Sequence, residues 1–228
     1  MLTPLEIEIL TTSLSIALRA VVWSLPFAIA VAFALSRPRL PGKLMLDGLA
    51  SLPVILPPVL VGFLLLLLLG RRGLVGAWLE QKLGIQLAFT ANGAALATAV
   101  MIFPVFVRIV RLAFEVADAR LFEAAAMLRA GRLDCFLSLA LPLAWPGILA
   151  GAVMAFAAAL GEFGAVITFA ANIPGQTQTL PLAIYAVLQQ PGGEYEALRL
   201  AGMSFVAALA GLSAADLLQR WARRRLVA

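Results

Sequence analysis

The chain is 228 residues long, 63% hydrophobic and 13% charged, with a mean hydropathy of +1.00, which excludes an ordinary soluble domain and makes it an integral membrane protein. Its formal net charge of +5 is spread over the ends of apolar runs, so it reads as a topology signal and not as a nucleic-acid surface. With no histidine and a single cysteine, Cys135, it lacks the commonest metal ligand and general base and has no internal disulfide.

Counted in membrane spans of about 20 residues, residues 1–228 predict one all-α, polytopic domain of about five transmembrane helices. The first span covers about 10–35, preceded by Glu6 and Glu8 and followed by SRPRLPGK. A cleaved signal peptide carries positive charge ahead of a shorter apolar core, so this segment is expected to stay. The second span, about 48–70, is uncharged and contains Pro53, Pro57 and Pro58. Prolines inside a membrane helix free carbonyls that a neighbour must satisfy, which predicts a kinked helix packed inward.

A polar connection follows, whose AWLEQKLG portion predicts a short surface helix, and then the third span, about 93–110. The fourth span, about 143–169, carries Glu162. In the connection after it, TLPLAIYAVLQQ predicts another short helix, and the Ala-rich run at about 198–218 is the fifth span.

Five spans place the termini on opposite sides. One side collects Arg37, Arg39, Lys43, Arg108, Arg111, Arg120, Arg129, Arg132, Arg220, Arg223, Arg224 and Arg225, twelve in all, against Arg71, Arg72, Lys82 and Arg199 on the other. Basic residues mark the cytoplasmic side, so the N terminus is expected outside and the C terminus in the cytoplasm. Arg223 to Arg225 would then rest on anionic lipid headgroups.

Between the third and fourth spans, at about 118–142, the chain turns charged and Ala-rich: LFEAAAMLRAGRLDCFLSLALP from Leu121 to Pro142. Asp118 is a natural N-cap, Glu123 complements the start of a helix, and the following residues are strong helix formers. Ala124 and Ala125 leave a flat surface that another backbone can approach. On spacing alone, a helix built to fit a partner's cleft and an interfacial linker both remain open.

Glu123-Ala124-Ala125, followed by Leu139, Leu141 and Pro142, resembles the cytoplasmic coupling loop of the permease subunits of bacterial ABC importers. That family's pattern places Gly four residues after the second Ala; here the position holds Arg129, with Gly131 two residues on. Two longer stretches, Leu52 to Gln81 and Leu160 to Glu194, resemble molybdate transport permeases in particular, and with the opening MLTPLE the likeness runs from Met1 to about Arg199.

The resemblance implies the type I importer permease fold in a bacterial inner membrane, with a homodimer enclosing the path. It also implies a cytoplasmic ATPase dimer bound below and a periplasmic oxyanion-binding protein delivering molybdate from above. Permeases for tungstate, sulfate or thiosulfate share this architecture. No cofactor is expected in this chain; ATP and Mg belong to the ATPase, in keeping with the missing phosphate-binding loop, since Pro41-Gly42-Lys43-Leu44 has neither the upstream Gly nor a Ser or Thr. Neither nucleic acid nor catalysis by this chain is expected. An intramembrane enzyme needs a nucleophile and base at membrane depth, and a stand-alone channel or secondary transporter has no use for a docking loop.

Within the spans, the candidates for the path or its gate are Arg19, Pro57, Pro58, Gly161, Glu162 and Gly164. Arg19 and Glu162 are the intramembrane charges and are read either as a pair or as separate polar packing contacts. Gly161 and Gly164 read as close helix contact, with a hinge as the alternative, and the two prolines as a kink, with a place beside the gate as the alternative.

Overall fold

The fold is taken from a computed structural model that describes residues 3–37, 40–116, 127 and 131–227. Helix α1, Pro4–Ser36, opens on a reciprocal cap. The Thr3 hydroxyl accepts from the Glu6 amide at 3.2 Å, and the Glu6 carboxylate accepts from the Thr3 amide at 2.7 Å. At about 1.5 Å per residue its 33 residues run roughly 50 Å, longer than a bilayer's apolar core, so α1 tilts or projects.

The expected second span is two helices, α2, Lys43–Ile55, and α3, Pro58–Leu69, bent by 110°. Leu56, held extended before Pro57, ends α2, and two consecutive residues without an amide proton prevent it from continuing. Helix α4, Leu74–Leu83, is the expected short surface helix and ends at Gly84, whose φ of 65° is left-handed. Helix α5, Ala91–Glu115, is capped by the Thr90 hydroxyl on the Gly93 amide at 3.0 Å.

After the stretch 117–130, of which only Met127 is described, the chain re-enters at Gly131 and makes a π-helical turn over Cys135–Ala140. Helix α6, Leu141–Leu160, follows directly. The expected fourth span then divides: α6 stops at Leu160, Gly161 to Phe163 form a break, and α7, Gly164–Ala170, begins again. The short helix expected in TLPLAIYAVLQQ is α8, Leu180–Leu188, and α9, Glu194–Val227, carries the last span. Among the described residues four helices are long and apolar enough to cross a membrane, and α2 with α3 would make a fifth.

The main core joins α1, α5 and α6 through small side chains: Ala17, Ala20, Ala28 and Ala32 face Ala99, Phe106 and Val110, with Ala144 and Ala155 alongside. In lipid there is little hydrophobic drive between helices, so association depends on close backbone approach, which these alanines permit. Gly151 serves the same end, because a methyl there would stand 3.1 Å from both Phe106 and Val110. A second cluster of Ile9, Leu180, Ala183 and Leu200 ties the start of α1 to α8 and α9. There the Ser13 hydroxyl donates to the Ile9 carbonyl at 2.7 Å and accepts from the Leu180 amide at 2.8 Å.

Candidate functional site

The two helix breaks meet. A Cβ added to Gly164, the first residue of α7, would lie 2.6 Å from Cβ of Pro58 and 3.3 Å from the Val59 amide nitrogen, at the first turn of α3. One turn along, a Cβ on Gly62 would lie 2.6 Å from the Ala165 carbonyl oxygen and 2.8 Å from Cβ of Thr168. Helices α3 and α7 therefore touch backbone to backbone, without the side-chain layer that lets packed helices slide. Thr168 adds a hydroxyl bond to the Gly164 carbonyl at 2.9 Å, which holds the short helix to its first turn.

Of the candidates read from the sequence, Pro58 and Gly164 are thus brought into contact; Pro57 caps α3, and Gly161 and Glu162 form the α6 break. Half-buried Glu162 accepts from the Ala165 amide at 3.0 Å. Its carboxylate satisfies one of the amides that the first turn of a helix leaves without a partner. The Arg19–Glu162 pair is not formed. Arg19 is exposed instead and donates to Asn92 Oδ1 at 3.1 Å, at the opening turn of α5. Neither charge is aimed at the other.

At the end of the molecule bearing Arg37 and Lys43, three rings gather. Phe33 of α1 lies 5.3 Å from Phe114 of α5 and 4.6 Å from Phe136 of the π-helical turn, centroid to centroid, and Phe114 and Phe136 are 6.5 Å apart. The Arg37 guanidinium caps the cluster, 4.5 Å from the Phe33 centroid. Phe114 lies four residues before the candidate coupling stretch and Phe136 within its C-terminal part, so the helix that leads into that stretch and the turn that leads out of it are fastened to one point on α1. The π-helical turn widens the start of α6 where such turns commonly serve function.

Glu123, Ala124, Ala125 and Arg129 lie outside the described residues. Gly131 is exposed, and its carbonyl accepts from the Cys135 amide at 2.9 Å. Half-buried Leu139 lies in the π-helical turn, half-buried Leu141 packs on the main core, and Pro142 is exposed at the start of α6.

The sequence reading passed over a cavity of about 650 Å³ between α2 and α5, lined by Asp47, Ser51, Ile55, Pro104, Arg108 and Arg111 among others. On its wall Arg111 donates through Nε to Glu115 at 2.8 Å and through one terminal nitrogen to both Asp47 oxygens at 3.4 Å. The spacing of Arg111 and Glu115, four apart on one helix, was the available signal. Nothing in the sequence joins either to Asp47, 64 residues from Arg111.

The opposite end holds a different set of ties. Arg71 pairs with Glu80 at 2.7 Å, and that contact holds the Glu80 carboxyl below the usual carboxylate range. The Phe89 amide donates to the Phe169 carbonyl at 3.2 Å, fastening the entry of α5 to the end of α7. Arg199 of α9 reaches the buried Glu6 carboxylate at 3.0 Å.

Comparison with known proteins gives this geometry a context. The family model of the binding-protein-dependent transport system inner membrane component matches residues 24–227. The molybdenum transport system permease protein ModB of Escherichia coli (strain K12) is 49% identical over 224 residues, covering 98% of both chains. Its counterpart of that name in Haemophilus influenzae is 44% identical over 222 residues, 97% of this chain and 95% of that one. Among solved structures, a chain of a bacterial alginate ABC transporter, in complex with alginate pentasaccharide-bound periplasmic protein, superposes with a TM-score of 0.76 at 17% identity. It covers 96% of this chain and 79% of that one. A chain of an amino acid ABC transporter solved with histidines gives 0.64 at 20% identity, covering 95% and 94%. At such identities these two likenesses speak for the fold alone.

Proposed function

This chain belongs to the family of binding-protein-dependent transport system inner membrane components, and from that premise we propose that it is the permease subunit of an ATP-driven molybdate importer. It is a multi-pass inner-membrane component and a transport subunit, with ATP hydrolysed by another chain. The observation that carries the molybdate reading is 49% identity to a molybdenum permease across 98% of both chains.

In this reading two copies enclose the path, a periplasmic protein delivers the oxyanion to the outer face, and an ATPase dimer binds the cytoplasmic face at Glu123, Ala124 and Ala125. The basic residues support the orientation, since Arg37, Lys43, Arg108 and Arg111 all belong to the end that holds the coupling stretch. The paired breaks support a gate at Pro57, Pro58, Gly161 and Gly164. A helix can change direction there without breaking backbone hydrogen bonds, because the prolines donate none and the α6 ladder has already lapsed.

The path itself calls for weak contacts, since an anion held tightly does not leave. Specificity then belongs chiefly to the binding protein, and the permease supplies a route that opens only when the ATPase closes.

The test is uptake of radioactive molybdate into vesicles containing this chain, its neighbouring ATPase and an oxyanion-binding protein, with ATP inside. Uptake that needs all three chains, competes with tungstate and resists a hundredfold excess of sulfate is expected. Equal competition by sulfate would move the substrate to the wider oxyanion class, and uptake without the ATPase would remove the importer reading.

A further inference from the structure

We propose that Asp47 and Arg111 are positioning residues that transmit movement of the coupling stretch to the break at Pro57; this rests on the importer reading above. Helix α5 is a rigid arm of 25 residues whose last residue is Glu115, and the coupling stretch begins directly beyond it. Arg111, one turn earlier, is steadied by Glu115 through Nε, which leaves a terminal nitrogen facing both oxygens of Asp47. The guanidinium is thereby fixed in orientation by its own helix before it reaches the neighbouring one.

Asp47 stands near the start of α2, nine residues before Leu56 and so about 13 Å along the helix from the break. Packing holds α2 weakly: Ala50 is its one buried residue, Leu46 is partly buried on the main core, and much of the face toward α5 opens onto the 650 Å³ cavity. On a helix so loosely seated, a two-oxygen contact to a fixed guanidinium sets the position. The break at the far end of α2 leads into α3, which is locked to α7 through Gly62 and Gly164. From the end of α5 at Glu115 the line of force thus runs through Arg111, Asp47 and α2 to both breaks.

The alternative, a contact that merely stabilises, makes a different forecast. Losing it would lower the amount of folded complex and reduce every activity alike. Losing a transmission contact leaves ATP hydrolysis running while transport falls behind.

The experiment measures molybdate imported per ATP hydrolysed in reconstituted vesicles, alongside co-purification of the ATPase, for Asp47→Asn, Arg111→Met, the double variant and Asp47→Glu. Asp47→Asn and Arg111→Met are each expected to lower the ratio about fivefold with assembly and stimulated hydrolysis retained, a drop within the range of known coupling contacts. The double variant should fall no further than either single one, and Asp47→Glu should return to within about twofold of wild type. A wild-type ratio in Asp47→Asn, a parallel loss of hydrolysis and uptake, or strictly additive losses would each overturn the proposal. A wild-type complex whose hydrolysis ignores molybdate would instead sink the importer reading, and the two failures are told apart on the unaltered protein.

Discussion

Gly164 and Pro58 stand so close that the Cβ which glycine lacks would be 2.6 Å from Cβ of the proline. Neither atom sits at the end of a flexible side chain, so a methyl group at position 164 must separate two backbones. Gly164→Ala is expected to cost about 1–3 kcal/mol of stability, the usual penalty of overpacking, and to reduce uptake. Gly62→Ala should be at least as severe, because it strikes the Ala165 carbonyl. Gly202→Ala, with nothing within 4 Å of the added carbon, is the control and should match wild type. Thermal unfolding in detergent and uptake in vesicles check all three.

The Glu162 carboxylate acts on the first turn of α7, which makes its replacement a test of capping. Glu162→Gln keeps an acceptor oxygen and should fold normally. Glu162→Leu removes it and should lose about 0.5–2 kcal/mol, the usual worth of an N-terminal cap. Because Arg19 is engaged with Asn92, the double variant Arg19→Gln, Glu162→Gln should be additive within about 0.5 kcal/mol. Recovery of stability in that double variant would mean that the two charges do pair in the membrane.

Orientation is open to chemical labelling. In a Cys135→Ser background, single cysteines at Gln81 and Gln178 are expected to react with an impermeant thiol reagent in intact cells, and one at Ala222 only after lysis. Labelling of position 222 in sealed cells, with position 81 protected, would invert the topology.

Docking at the coupling stretch has its own forecast. Ala125→Asp would place an unpaired charge in a desolvated cleft at a cost of several kcal/mol, enough to weaken ATPase binding by about 10³. On the proposed docking, Glu123→Ala would remove a rim contact worth about 1 kcal/mol and should leave the complex assembled but poorly coupled. Co-purification with the ATPase reads both, and an Ala125→Asp protein that assembles and transports normally would reduce the stretch to a linker.

How far the sequence reached depends on the range of the forces involved. The long spans were legible because hydropathy accumulates over about 20 residues, and α4 and α8 because local composition marks short helices. The break at Gly161 to Phe163 was hidden inside an apolar run, where hydropathy is blind to an interrupted hydrogen-bond ladder. Pro57 and Pro58 announced a bend but not its 110° or its seat on Gly164. Glu162 carried a local sign that neither reading of it, as a partner of Arg19 or as a polar packing contact, used, for it stands three residues before the amide it caps. Asp47 and Arg111 had no such sign, since their meeting depends on how two helices lie against each other.

The contacts of α1 also order events while the chain is being made. Glu6 and Ser13 are synthesised well ahead of their partners, for the Arg199 guanidinium and the Leu180 amide that engage them come 193 and 167 residues later. At about 5–20 residues per second that is a wait of roughly 10–40 s. Until then the buried Glu6 carboxylate has only the N-terminal cap for company. The N-terminal half of the first helix is therefore a late part of the core to close, and its closure requires α8 and α9 to have been made. A chain cut short before residue 180 would carry an open seam along α1, a mark by which quality control could distinguish unfinished permeases from complete ones.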